Sequence, residues 1–184
     1  MKMCPAQQIF LFNHQQEQIS PFLKQATLFL TEHIPHKTQQ LNFKVKAIIT
    51  ELLTNSIKHA GKAQTRVSLI VDGDNFLITK TDTGAPFAIK QSDAAAPQWQ
   101  WPLTGYTSKH FKIYTDHLNG LFARITSPCS LHFFTEDYEP GENEINGLTE
   151  HYGLMIICRA ADSFTYEFNS HTHENIFTVR ISLL

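Results

Sequence analysis

The run Glu51-Leu52-Leu53-Thr54-Asn55-Ser56-Ile57-Lys58-His59-Ala60-Gly61 decides how this chain is read. At about 100° per residue, Ile49, Leu52, Leu53, Ser56, Ile57 and Ala60 gather on one side of a helix running from about Asn42 to Ala60. Glu51, Asn55, Lys58 and His59 fall together on the other side. Their spacing of i, i+4, i+7 and i+8 lets a carboxylate, an amide, an ammonium and an imidazole converge on one ligand. Amphipathic helices commonly turn such residues to water, so the flanking segments must decide between a solvated face and a binding face.

Upstream, residues 8 to 13 read as a short strand, and residues 17 to 32 carry Ile19, Phe22, Leu23, Ala26, Phe29 and Leu30 at helical spacing. Pro35 breaks that pattern. Asn42 is the expected N-cap of the long helix, and Gly61 its C-cap. Downstream, residues 65–71 and 76–81 alternate in polarity around Asp72-Gly73-Asp74-Asn75. Asp-Gly between alternating runs predicts a β-hairpin, because glycine accepts the positive φ of tight hairpin turns. The hairpin delivers Asp82, which is followed at once by Thr83-Gly84-Ala85-Pro86-Phe87.

The remaining chain is less regular. Residues 88–105, rich in Ala, Pro, Gln and Ser, read as a loop or lid in which Trp99 and Trp101, with Tyr106, either form a stacking or binding patch or, on the simpler account, pack locally. From Ser108 to Ala123, the positions Phe111, Tyr114, Leu118, Leu121 and Phe122 predict a helix, and residues 129–135 a strand. Residues 136–150 hold six acidic and no basic residues and read as a surface loop. A helix is expected over 153–162, then two strands over 163–169 and 175–183. The predicted fold class is α/β (α+β): a two-layer sandwich in one domain, residues 1–184, whose mixed, mostly antiparallel sheet carries helices on one face. An extended lid or insertion spans about 88–150.

Composition narrows the function classes. Fifteen basic against 17 acidic residues in 184 give a formal charge of −2, so nothing points to nucleic acid or an anionic membrane as a partner. Cys4, Cys129 and Cys158 stand far apart without a CxxC pair, which argues against a disulfide framework or a structural zinc site. With no apolar run of membrane-spanning length, a soluble cytoplasmic protein is expected. His171-Thr172-His173-Glu174 reads as a turn, and neither a Gly-x-Ser-x-Gly elbow nor a Walker-type phosphate loop occurs.

Three blocks therefore stand in order: Glu51 to His59 on a helix, Asp82 to Phe87 after a strand, and Gly153-Leu154-Met155-Ile156-Ile157 opening a helix. Together they resemble the N box and the two glycine boxes of the GHKL (Bergerat-fold) ATPase superfamily. The Thr-Asn-Ser-Ile-Lys-His run and the Pro-Phe ending are most similar to bacterial anti-sigma-factor serine kinases and related histidine-kinase-like ATPase domains. The resemblance implies a Bergerat ATP-binding fold, ATP and Mg²⁺ as cofactors, and Mg-ATP-dependent serine/threonine kinase activity in signal transduction. It implies Glu51 as catalytic base, Asn55 as the Mg²⁺ ligand, and Lys58 and His59 near the phosphates. Asp82 would read the adenine amino group and Gly84 allow close approach to the base, with Gly153 and Leu154 offering backbone N–H groups to phosphate. A regulatory protein, sigma-factor-like or anti-anti-sigma-like, is the implied partner, and a homodimer a further expectation.

The chain also departs from the pattern. The third block reads His151-Tyr152-Gly153, with histidine where the family has a first glycine, and about 65 residues separate the second and third blocks. Glu142, Glu144 and Glu150 lie where the family's lid is often basic, and Coulomb repulsion there opposes a triphosphate. These departures define the competing expectation, a catalytically degenerate nucleotide-binding or protein-interaction module of the same fold.

Overall fold

The structure, a computed structural model, describes residues 5–34, 36, 39–61, 64–88, 101–106, 110–115, 119–137 and 152–184. Its elements in chain order are β1 (Ala6–Phe12), α1 (Ile19–His33), α2 (Gln39–His59), β2 (Thr65–Asp72), β3 (Asn75–Asp82), β4 (His110–Thr115), β5 (Asn119–Ser127), β6 (Ser130–Asp137), α3 (Tyr152–Ala160), β7 (Ser163–Asn169) and β8 (Glu174–Ser182). The eight strands form one sheet in the order β1-β2-β3-β8-β7-β6-β5-β4. Every described pairing is antiparallel, where a mixed sheet was expected. The fold is α+β, the described residues forming three α-helices and an eight-stranded antiparallel sheet, an arrangement compatible with two layers.

Strand alternation sorts the side chains. Phe10 and Phe12, Val67 and Leu69, Phe76 and Ile78, Val179 and Ile181, and Phe164 and Tyr166 are buried in one core with Val45, Ile48, Ile49, Leu52 and Leu53 of α2 and Leu154, Met155 and Ile157 of α3. Lys80 and Asp82 share the parity of Phe76 and Ile78, so the same alternation carries them to the buried face at the far end of β3. On the edge strand β1 the opposite parity leaves Ile9 and Leu11 exposed.

The hairpin forms as expected: Asp72 pairs with Asn75, and Gly73 takes a φ of +56° in the turn. Gly61, with a φ of +68°, follows α2 as the expected C-cap. The other end of α2 differs, because the helix begins at Gln39 and Asn42 lies inside it, with its Oδ1 buried and unpartnered among the described atoms. Ile57, assigned to the apolar side, is 39% exposed.

The main correction concerns residues 108–123, which hold β4 and the start of β5 rather than a helix. Phe111 and Ile113, then Leu121, Ala123 and Ile125, are buried at a period of two. The apolar positions satisfy both periods over this short window, and the sheet decides between them: Phe111 pairs with Ala123, and Ile125 with Leu131. Strands β4 to β6 extend the sheet beyond β7, so the described part of the middle segment builds sheet. Trp101, expected to pack locally, instead packs on β7, 5.1 Å from the Tyr166 ring and 6.0 Å from the Phe168 ring, with its Nε1 donating to Phe87 O at 2.9 Å. Trp99, His151 and the acidic residues Glu142, Glu144 and Glu150 lie outside the described residues.

Candidate ligand pocket between α2, β3 and β8

A cavity of about 270 Å³ opens where the C-terminal part of α2 meets β3, β8 and the segment after Asp82. Ala60, Pro86, Phe87, Leu154 and Phe177 give it apolar walls, Lys80, Asp82 and Asn175 supply buried polar groups, and Asn55 and His59 also line it. A mostly apolar cavity with a few convergent polar groups is the usual form of a small-molecule site.

One connected network fixes the polar end. Lys80 Nζ lies 2.8 Å from Asp82 Oδ2, and both side chains are 4% exposed. Asp82 Oδ1 accepts the Gly84 N–H at 2.9 Å and the Asn175 amide at 3.0 Å. The same Asn175 amide donates to Gly84 O at 3.0 Å, and Asn175 Oδ1 accepts the Tyr166 hydroxyl proton at 2.7 Å. Tyr166 Oη in turn accepts the Phe87 N–H at 2.9 Å. The 84–87 segment is thereby tied to β7 and β8 by side chains alone, and each bond polarises the next in a site of low dielectric.

Charge follows from this geometry. Burial works to raise Asp82, but the Lys80 ammonium and the hydrogen bonds from Lys80, Gly84 and Asn175 prevail and hold the carboxyl below the usual range. Burial lowers Lys80 below the usual lysine range, with Asp82 partly opposing it. The Lys80 ammonium also lies 4.9 Å from the centre of the Phe177 ring, within cation–π range. The Tyr166 phenol is pushed up, chiefly by burial, and stays protonated as a donor.

The three sequence blocks meet here, though not uniformly. Asn55, His59, Asp82 and Leu154 all line the cavity. Glu51 stands beside it against the first turn of α3, where a Cβ added to Gly153 would overlap Glu51 Oε2. Gly84 abuts the end of α2, since a Cβ there would come within 2.9 Å of His59 O and Ala60 Cα. That glycine is required by helix-to-loop contact, and it is not a lining residue. Lys58 is exposed and does not line the cavity either. Sequence reading missed Lys80, Tyr166, Asn175 and Phe177. Only Lys80 carried a signal: two residues before Asp82 on a strand, it had to share that residue's face.

No protein-family model matches this chain, and no curated protein matches it. Among the described residues no cluster of three or more His, Cys, Asp or Glu side chains could hold a metal ion, and no helix is long and apolar enough to cross a membrane. A metal shared with a ligand's phosphates asks less of the protein, because Mg²⁺ keeps several waters and takes one or two protein oxygens. The Asn55 side-chain oxygen is of the right chemical type for that purpose.

Proposed function

We propose that this chain is a nucleotide-binding regulatory protein of the GHKL type that takes Mg-ATP in the α2–β3–β8 cavity and acts as a serine/threonine kinase on a regulatory protein partner. The observation that carries the reading is the convergence of separated blocks, with Asn55, Asp82 and Leu154 lining one cavity and Glu51 against Gly153 beside it. An apolar slot bounded by Ala60, Leu154, Phe87 and Phe177 suits a planar base, and the buried carboxylate of Asp82 suits its amino group. Phosphates leaving the slot past Asn55 would meet a Mg²⁺ held by its side-chain oxygen. When bound, Mg²⁺ would neutralise phosphate charge. Glu51, one turn before Asn55, would accept the proton of the attacking hydroxyl.

Thermal-shift measurements with ATP, ADP and Mg²⁺ test the binding step. Ligand at about 100 times its dissociation constant adds about 2.7 kcal/mol of apparent stability, so wild-type protein should shift visibly and Asp82→Asn and Asn55→Ala weakly. Absence of a shift in the wild type would sink the nucleotide reading. Glu51→Ala tests the second step: binding kept with phosphotransfer lost supports the kinase.

A second reading, a protein-interaction module of the same fold that takes no nucleotide, is favoured by the Lys80–Asp82 ion pair, which already engages the carboxylate meant for the adenine ring. Wild-type protein that binds a protein partner but shows no shift with ATP or ADP would support it.

A further inference from the structure

The Lys80–Asp82 pair has a donor–acceptor pattern of its own. A carboxylate offers about four lone-pair positions, and here Gly84 N, Asn175 Nδ2 and Lys80 Nζ use three. The fourth is on Oδ2, beside the ammonium. Lys80 carries three N–H donors, and its bond to Asp82 uses one of them. An incoming ligand in the cavity therefore meets one acceptor, Asp82 Oδ2, and one charged donor, Lys80 Nζ, 2.8 Å apart. The pattern complements a heterocycle that presents an N–H donor and a ring-nitrogen acceptor on neighbouring atoms of one edge, as adenine does with its amino group and N1.

Resting on the nucleotide reading above, we propose that Lys80 is a specificity-determining residue, donating to N1 of the adenine ring while Asp82 accepts from the amino group. A hypoxanthine ring in the same pose would turn its carbonyl toward the carboxylate and its N1–H toward the ammonium, two mismatches where adenine has two bonds. Buried sites discriminate strongly against a ligand that leaves their polar groups unpaired, because both groups have already been stripped of water. Lys80 is suited to this because it is held from two sides, by Asp82 and by the face of Phe177, so its remaining donors are directed rather than free to swing.

The test compares ADP, IDP and 1-deaza-ADP, in which N1 is replaced by C–H, by calorimetric titration with the wild-type chain and Lys80→Met. The expected result for the wild type is about tenfold weaker binding of 1-deaza-ADP than of ADP, with IDP weaker still, one lost charged hydrogen bond accounting for the first step. Lys80→Met should bind ADP and 1-deaza-ADP within about twofold of each other. Equal wild-type affinities for ADP and 1-deaza-ADP, or a penalty that survives in Lys80→Met, would overturn the assignment while leaving nucleotide binding intact. Should Lys80→Met fail to fold, the side-chain ammonium resonance of Lys80 in ¹⁵N-labelled wild type decides: it should shift with ADP and not with 1-deaza-ADP, and an equal response to both would overturn the assignment. Wild-type protein that takes up none of the three removes the nucleotide reading itself.

Discussion

Lys80 and Asp82 pose a stability question before they pose a functional one. Two charges held at 4% exposure have lost most of their hydration, and each is tolerable only because of the other. Lys80→Met leaves Asp82 buried with hydrogen bonds but no counter-charge and should cost about 3–5 kcal/mol in a denaturant titration. Lys80→Met combined with Asp82→Leu should recover most of that loss, because no ion is then left buried. The pair also sets an acid limit. Since Asp82 in the folded protein is held below its ordinary 3.8, its stabilising contribution is complete above that value and disappears as pH falls through the folded-state value. Asp82→Asn should flatten the corresponding part of the acid unfolding curve, and an unchanged curve would show that the ion pair contributes nothing there. Sequence made Asp82 visible because it ends a strand before Thr83-Gly84. It could not reveal Asn175, whose place opposite Asp82 depends on the β3–β8 register across 93 positions of chain.

Two glycines separate the elements that surround the cavity. At Gly84 a new Cβ would meet backbone atoms of His59 and Ala60, which cannot move without shifting the end of α2. At Gly153 its nearest neighbours would be atoms of the Glu51 side chain, with the carboxylate end the one overlapped. Gly84→Ala is therefore expected to cost about 1–3 kcal/mol whatever residue stands at position 51. Gly153→Ala should be tolerated better, and Glu51→Ala should remove its remaining cost, a coupling that a double-mutant cycle on thermal unfolding would register. Additive effects would show that Glu51 does not rest on α3. Helices α1 and α2 were legible because long amphipathic periods are hard to mistake. The error over residues 108–123 has the opposite origin: Phe111, Tyr114, Leu118 and Leu121 fit a helical stripe, whereas Asn119-Gly120 and the alternating Leu121, Ala123 and Ile125 fit strands. Only pairing with β6 and β7, set by residues further along the chain, resolves that ambiguity.

At the scale of the whole molecule, the sheet is a long core joined to a three-stranded extension by a short seam. Strands β3 and β8 pair over Asn75–Asp82 and β7 and β8 over Ser163–Asn169, but β6 meets β7 only over Ser130–Phe133. The Phe133 and Phe164 rings, 4.6 Å apart, reinforce that seam from the buried side. On the other side lies His132, whose imidazole is held below its usual 6.5 first by burial and then by the neighbouring Arg124 charge. The folded protein thus binds fewer protons at this site than the unfolded chain as pH drops below 6.5, so stability is full above that value and declines as pH falls toward the folded-state value. Because protonation places a second cation beside Arg124 in the extension, the loss should begin locally. Hydrogen exchange compared at about pH 7 and about pH 5, after correction for intrinsic rates, should show β5 and β6 amides losing protection before those of β3 and β8. His132→Gln should abolish that difference and the matching slope in urea stability, whereas uniform loss of protection across all eight strands would mean that the seam does not divide the sheet.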